Sequence, residues 1–204
     1  MSREGARGQE YNGGSPDSGN SPDHLVIVPF TRMLSGSFDY TPGLFNFDYR
    51  DKRPGNRVPS TLAKQLALFV VIYSPLQMAV DLPEKYEGNP AFPFIRDVPT
   101  DWEQSRTLAR QIGEHVITAR QARSGKDWFL GALTHDKPRN LTVSLDFLGP
   151  GKRYEAQIYA DGPGANWRTV PERIPIQRKI VTATNVLKLS LTPGGGQAIR
   201  FRAL

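Results

Sequence analysis

Leu141-Thr142-Val143-Ser144-Leu145-Asp146-Phe147 alternates apolar and polar residues without a break. Successive side chains of an extended chain point to opposite faces, so this spacing predicts a strand with one face buried and the other in water. The same period recurs on both sides. Tyr154, Ala156 and Ile158 alternate with Glu155 and Gln157; Leu187, Leu189 and Leu191 with Lys188 and Ser190; Ile199 and Phe201 with Arg200 and Arg202. Asp127 to Thr134 and Val116 to Arg120 read as further strands, and Gly149-Pro-Gly151 and Pro193-Gly-Gly-Gly196 supply turns. Six or more such strands predict an antiparallel β-sandwich. Gln104 to Gly113 is ambiguous between helix and strand.

Toward the N-terminus the period becomes helical. Leu62, Leu66, Phe69 and Tyr73 repeat at helical spacing, widened by Ala63, Val70 and Val71, and Ser60 after Pro59 is the expected N-cap. Leu25-Val-Ile-Val28 is a short, continuously apolar run, expected as a strand buried on both faces of a parallel sheet. Gly13 to Asp23 is a loop by composition. Gly36 to Gly55 is too rich in Gly, Pro and Asp for regular structure, and reads as the long loop that follows a barrel strand and builds a substrate site. Strand, loop and helix together make a βα unit. Pro75 ends the helix, and Pro83, Pro90, Pro93 and Pro99 predict an extended connection. No internal repeat is apparent.

The 204 residues are 38% hydrophobic and include no cysteine, which excludes disulfides and thiolate metal sites but leaves the compartment open. The net charge of +6 sits entirely after residue 96: residues 1–96 hold ten Lys/Arg and ten Asp/Glu, residues 97–204 sixteen and ten. The later basic residues are scattered between apolar neighbours, as on the solvent face of strands. A nucleic-acid-binding sandwich is the weaker reading of that charge. The longest apolar run, Leu66 to Tyr73, is too short to span a membrane, and no export signal follows Met1.

Arg3-Glu4-Gly5-Ala6-Arg7-Gly8-Gln9-Glu10-Tyr11-Asn12 places two carboxylates six residues apart among glycines and arginines. That combination suits a metal or acid/base loop, and equally a solvated terminal tail.

Several segments resemble one family in sequence and order. Ser2-Arg-Glu-Gly-Ala-Arg-Gly-Gln-Glu-Tyr-Asn12, Pro29-Phe-Thr-Arg-Met-Leu34, Asp39-Tyr-Thr-Pro-Gly43, Tyr73-Ser-Pro-Leu-Gln-Met78, Asp97-Val-Pro-Thr-Asp-Trp102, Tyr159-Ala-Asp-Gly162 and Leu191-Thr-Pro-Gly-Gly-Gly-Gln-Ala-Ile199 are similar to the C-terminal third of glycoside hydrolase family 97. That family comprises calcium-dependent, exo-acting α-glycosidases with an N-terminal β-sandwich, a central (β/α)8 barrel and a C-terminal β-sandwich. The resemblance implies an α/β plus all-β chain: the last strand–helix portion of the (β/α)8 barrel over residues 1–96, then a C-terminal antiparallel β-sandwich over residues 97–204. It implies Glu10 as general acid and Glu4 as a calcium ligand. The substrate would be an oligosaccharide with a terminal α-glucosidic or α-galactosidic bond, and the other partner the preceding part of the same polypeptide. Neither nucleic acid nor membrane is implied, and the full-length parent would be periplasmic or secreted. In that family the base or nucleophile and the remaining calcium carboxylates precede the position of Met1. The chain alone is therefore expected to be inactive, with inverting or retaining stereochemistry not legible.

Arg32 and Asp39 either contact substrate or form a structural ion pair. Tyr40 and Phe45 either stack on a sugar or pack the loop. His24, His115 and His135 lack metal-ligand spacing and read as structural. Trp128, Tyr159 and Trp167 form either a carbohydrate platform or core. The alternative function is a non-catalytic carbohydrate- or partner-binding sandwich. A barrel unit parted from its neighbours is expected to expose Leu25 to Val28 and the Leu62 to Tyr73 stripe.

Overall fold

The computed structural model describes residues 3–4, 19–47 and 57–204, the first pair by backbone alone. Its strands before residue 57 are short: β1 (Arg3–Glu4) pairs in parallel with β2 (Phe38–Asp39). Between them lies α1 (His24–Ile27), followed by two 3-10 turns at Val28–Phe30 and Arg32–Ser35. Then come α2 (Leu62–Val71), α3 (Pro83–Tyr86) and α4 (Phe92–Asp97).

Eight strands follow: β3 (Trp102–Gln111), β4 (His115–Ala122), β5 (Trp128–Thr134), β6 (Arg139–Ser144), β7 (Tyr154–Ala160), β8 (Ile176–Val181), β9 (Val186–Leu191) and β10 (Gly196–Ala203). Six form an antiparallel sheet in the order β3-β4-β5-β10-β7-β8, and β6 pairs with β9 as a second antiparallel layer. Alternation sorts each strand between two cores. Trp128, Leu130, Ala132, Ile199 and Phe201 face the β6–β9 layer and meet Val143, Leu145, Phe147, Leu187, Leu189 and Leu191. Their neighbours Phe129, Leu133, Tyr159 and Ala198 face the other way, into a core with Leu66, Val70 and Phe94. All seven residues of β5 are buried, because both of its faces are covered.

The second cover is α2, and glycine admits it. A Cβ on Gly131 would stand 2.5 Å from the Ala67 carbonyl oxygen, and one on Gly196 would stand 2.7 Å from the Lys64 Cα. The helix backbone thus rests directly on β5 and β10. Every residue of α2 is buried, Lys64 and Gln65 included. The apolar stripe expected to lie exposed is instead covered by the sandwich.

Other expectations are also corrected. Leu25–Val28 is helical, not a strand: its burial requires an apolar segment, which either geometry supplies, and Pro29 opens the following 3-10 turn. The strand is Phe38–Asp39, inside the stretch read as loop. Thr61 is the N-cap, accepting from the Lys64 backbone N–H at 3.2 Å, while the Ser60 hydroxyl bonds the Thr61 carbonyl. The proline-rich connection holds two short helices, each with Pro in its first turn, where a missing N–H costs nothing. Of Gln104 to Gly113, left open between helix and strand, the part up to Gln111 lies in β3.

Nor are all the strand arginines solvated. Arg120, whose pKa burial lowers to about 10, donates to Val70 O at 2.6 Å and Val71 O at 3.4 Å. It thereby satisfies carbonyls that the C-terminus of α2 leaves unpaired. Arg200 bonds Asp97 at 2.6 Å and Asp127 at 2.9 Å, joining α4 to the sheet.

Candidate functional site

The β1–β2 pair sets Arg3 opposite Phe38 and Glu4 opposite Asp39. Parallel neighbours run in one direction about 4.8 Å apart. The segments leaving after Glu4 and after Asp39 therefore emerge at the same end. Glu10, on the first of these segments, lies outside the described residues, as does the side chain of Glu4. The structure thus brings the backbones of Glu4 and Asp39 together and describes nothing of Glu10.

Asp39 is partly buried and accepts from the Thr41 hydroxyl at 3.4 Å. Arg32 donates to Ser35 Oγ at 3.1 Å, its guanidinium 5.3 Å from the centre of the Phe38 ring. Asp39 thus ends β2, and Arg32 lies over the ring of its other residue, Phe38. Tyr40 and Phe45 belong to the core: Tyr40 is 1% exposed, and Phe45 meets the Tyr86 ring edge-on at 5.0 Å. Burial pushes the Tyr86 hydroxyl up to about 12, so it stays protonated and serves as a donor.

Calcium takes roughly six to eight oxygen ligands. Among the described residues no three His, Cys, Asp or Glu side chains gather in a way that could hold a metal.

The sequence motif Tyr159-Ala-Asp-Gly162 has a structural explanation. Asp161 accepts from Thr61 Oγ1 at 2.6 Å, Thr192 N at 3.1 Å, Thr192 Oγ1 at 2.9 Å and Gly196 N at 2.9 Å. One carboxylate thus ties the N-cap of α2 to the β9–β10 turn. A Cβ on Gly195 would lie 2.0 Å from its Oδ2, which accounts for glycine in the Pro-Gly-Gly-Gly turn. Burial raises the pKa of Asp161, against its four donors. Nearby, Lys64 Nζ donates to Thr134 O at 2.8 Å and Pro22 O at 3.1 Å, and burial lowers its pKa to about 7. Sequence reading passed over Lys64 and Gln65, although two polar residues inside an otherwise apolar, buried helix were a usable signal.

The remaining candidates are structural. Trp128 and Tyr159 are 3% and 1% exposed, too covered to form a sugar platform. Trp167 lies against Gly194, donates to Asp136 Oδ1 at 2.7 Å and carries the Arg168 guanidinium at 4.3 Å. His135 stands between Asp23 and Arg139, while His115 is buried beside Glu114 and Arg139, its pKa lowered first by burial and then by Arg139. A cleft of about 670 Å³ between α4 and strands β7, β8 and β10 is lined by Arg96, Arg178, Arg200, Arg202, Asp97 and Glu155. Three of those arginines are in ion pairs with the two carboxylates.

Comparison with known proteins places these features. The family model described as "Glycosyl-hydrolase 97 C-terminal, oligomerisation" matches residues 101–202. A retaining alpha-galactosidase of Bacteroides thetaiotaomicron is 34% identical over 98% of this chain and 30% of its own length. A probable retaining alpha-galactosidase of Streptomyces bingchenggensis is 31% identical over 97% of this chain and 28% of its own. A glycoside hydrolase family 97 enzyme from Pseudoalteromonas sp. strain K8, solved in complex with panose, superposes at a TM-score of 0.95 with 48% identity, covering 100% of this chain and 32% of that one. Its complex with acarbose gives 0.95 and 49%. The chain thus spans about a third of the length of these relatives.

Proposed function

The chain belongs to glycoside hydrolase family 97, and on that premise we propose that it is the C-terminal portion of an α-glycosidase hydrolysing terminal α-linked sugars. Residues 1–96 are then the end of the (β/α)8 barrel and residues 97–204 the C-terminal sandwich. The observation that carries this reading is the superposition of the whole chain on 32% of a family enzyme, together with the match of residues 101–202 to the family's C-terminal model; the parallel β1–β2 pair supports a barrel origin for the first part.

In this reading Glu10, protonated, gives its proton to the departing glycosidic oxygen, and a second carboxylate from the preceding polypeptide acts as base or nucleophile. Glu4 binds calcium, a hard cation suited to carboxylate oxygens, which when bound would polarise a sugar hydroxyl. Asp39, at the end of β2, and Arg32 beside it face the sugar. The chain alone, holding one of the two required carboxylates, is inactive. Identity is higher to the enzyme solved with panose and acarbose than to the α-galactosidases, which favours an α-glucosidic bond. A periplasmic or secreted location fits the family, and no described helix is long and apolar enough to cross a membrane. The second reading, a non-catalytic partner-binding sandwich, draws support from the word oligomerisation in the family description.

The test uses the polypeptide that carries this chain at its C-terminus, assayed on panose and on an aryl α-galactoside. Glu10→Gln is expected to lower kcat by about 10²-fold or more on panose, with less loss on an aryl glycoside whose leaving group needs no proton. Activity unchanged by Glu10→Gln sinks the general-acid assignment.

A further inference from the structure

The segment that leaves β2 is held by side chains rather than by a ladder or a helix. Four consecutive backbone amides donate in pairs to two side-chain oxygens: Gly43 and Leu44 to Gln65 Oε1 at 2.9 and 3.1 Å, Phe45 and Asn46 to Asp81 Oδ2 at 2.8 and 2.7 Å. Tyr86 closes the arrangement, its hydroxyl donating to Gly43 O at 2.9 Å and accepting from Asp81 N at 2.8 Å.

Such effort is not needed merely to bury the loop. Tyr40, Leu44, Phe45 and Phe47 already sit in the core. What the clamp adds is a single backbone shape, strained at its start: Thr41 has φ of 56°, a rare value for a β-branched residue, and Gly43 has φ of 94°. In that shape Thr41 turns its hydroxyl back to Asp39, and the partly exposed polar side chains of the segment are Asp39, Thr41 and Asn46. Asp39 and Thr41 lie at the end of β2 from which the chain after Glu4 also departs.

Resting on the function proposed above, we propose that Gln65 and Asp81 are positioning residues: by clamping residues 43–46 they fix Asp39 and Thr41 as one polar wall of the sugar site, acting on substrate binding rather than on proton transfer. Asp81 lies beyond α2 in sequence from the loop it serves. No spacing rule would have joined the two.

The experiment compares Asp81→Ala, Asp81→Asn and Tyr86→Phe in the same longer polypeptide. Hydrogen exchange is followed at amides 43–46, and kcat and KM on panose. Asp81→Ala is expected to speed exchange at Phe45 and Asn46 and to raise KM about tenfold, with kcat within about threefold of the parent. Asp81→Asn should restore KM to within about threefold, because a carboxamide oxygen can accept two amides, as that of Gln65 does. Tyr86→Phe keeps its ring contacts with Phe45 and Phe92, so it folds even if Asp81→Ala does not, and should raise KM by about threefold. Freed amides with an unchanged KM overturn the inference, as does an Asp81→Asn variant as impaired as Asp81→Ala. A parent polypeptide that hydrolyses neither panose nor an aryl α-galactoside overturns the function instead.

Discussion

Asp161 and Asp81 do the same chemistry in two regions, and the regions make it matter differently. Each carboxylate oxygen Oδ2 takes two backbone amides, Thr192 and Gly196 in one case, Phe45 and Asn46 in the other. Asp161 lies where α2, β7, β9 and β10 converge, and the amides it holds bracket the β9–β10 turn, Gly196 opening a strand in the middle of the six-stranded sheet. Asp81 lies in an irregular segment, half-buried, and the amides it holds belong to a loop. A charge-assisted hydrogen bond owes its worth to what happens if it is lost: water replaces an exposed acceptor, whereas nothing replaces a buried one.

The sharpest way to break the comparison is Asp161→Ala. Four donors lose their acceptor at the helix–sheet junction, and we expect a loss of about 3–5 kcal/mol by urea denaturation, or failure to fold. A cost below about 1 kcal/mol would mean that the junction is held by packing alone. Gly131→Ala probes the packing directly. Its Cβ meets the Ala67 carbonyl, which cannot move without shifting α2, and a loss of about 1–3 kcal/mol is expected.

Lys64 gives the junction a dependence on pH. Unfolded, it keeps its proton up to the ordinary lysine value of 10.5; folded and buried, it releases the proton at about 7. Between those values the unfolded chain holds more protons, so stability should rise as the pH is raised from 7 toward 10.5. Lys64→Met should flatten that slope, and an equal slope in the variant would place the proton elsewhere. The smallest effect is expected on the loop side. Asp81→Ala should lower stability by only about 1 kcal/mol, because the freed amides can reach water, even while KM responds as described above.

The sandwich was legible because six of its eight strands carry their own evidence. Leu141 to Phe147 and Leu187 to Leu191 alternate, and alternation states both the conformation and the buried face. The helix was legible for the same reason, from Leu62 to Tyr73. Leu25–Val28 was not: four consecutive apolar residues require burial but do not select strand over helix, and the surrounding core chose helix. The family was legible from short motifs, among them Tyr159-Ala-Asp-Gly162. The comparisons with known proteins bear out that membership; Glu10 as acid and Glu4 as calcium ligand stand as proposals.

By itself, then, the sequence determined the period of α2 and of most sandwich strands, and the family of the chain. The tertiary structure decided that α2 is buried against the sandwich, that Thr61 rather than Ser60 caps it, that Arg120 and Arg200 are internal, and that Gln65 and Asp81 reach back to residues 43–46. The physical reason is range. Periodicity and turn chemistry act within a few residues, whereas a hydrogen bond from Asp161 to Thr61, or the contact of Gly131 with Ala67, exists only after distant segments have packed together.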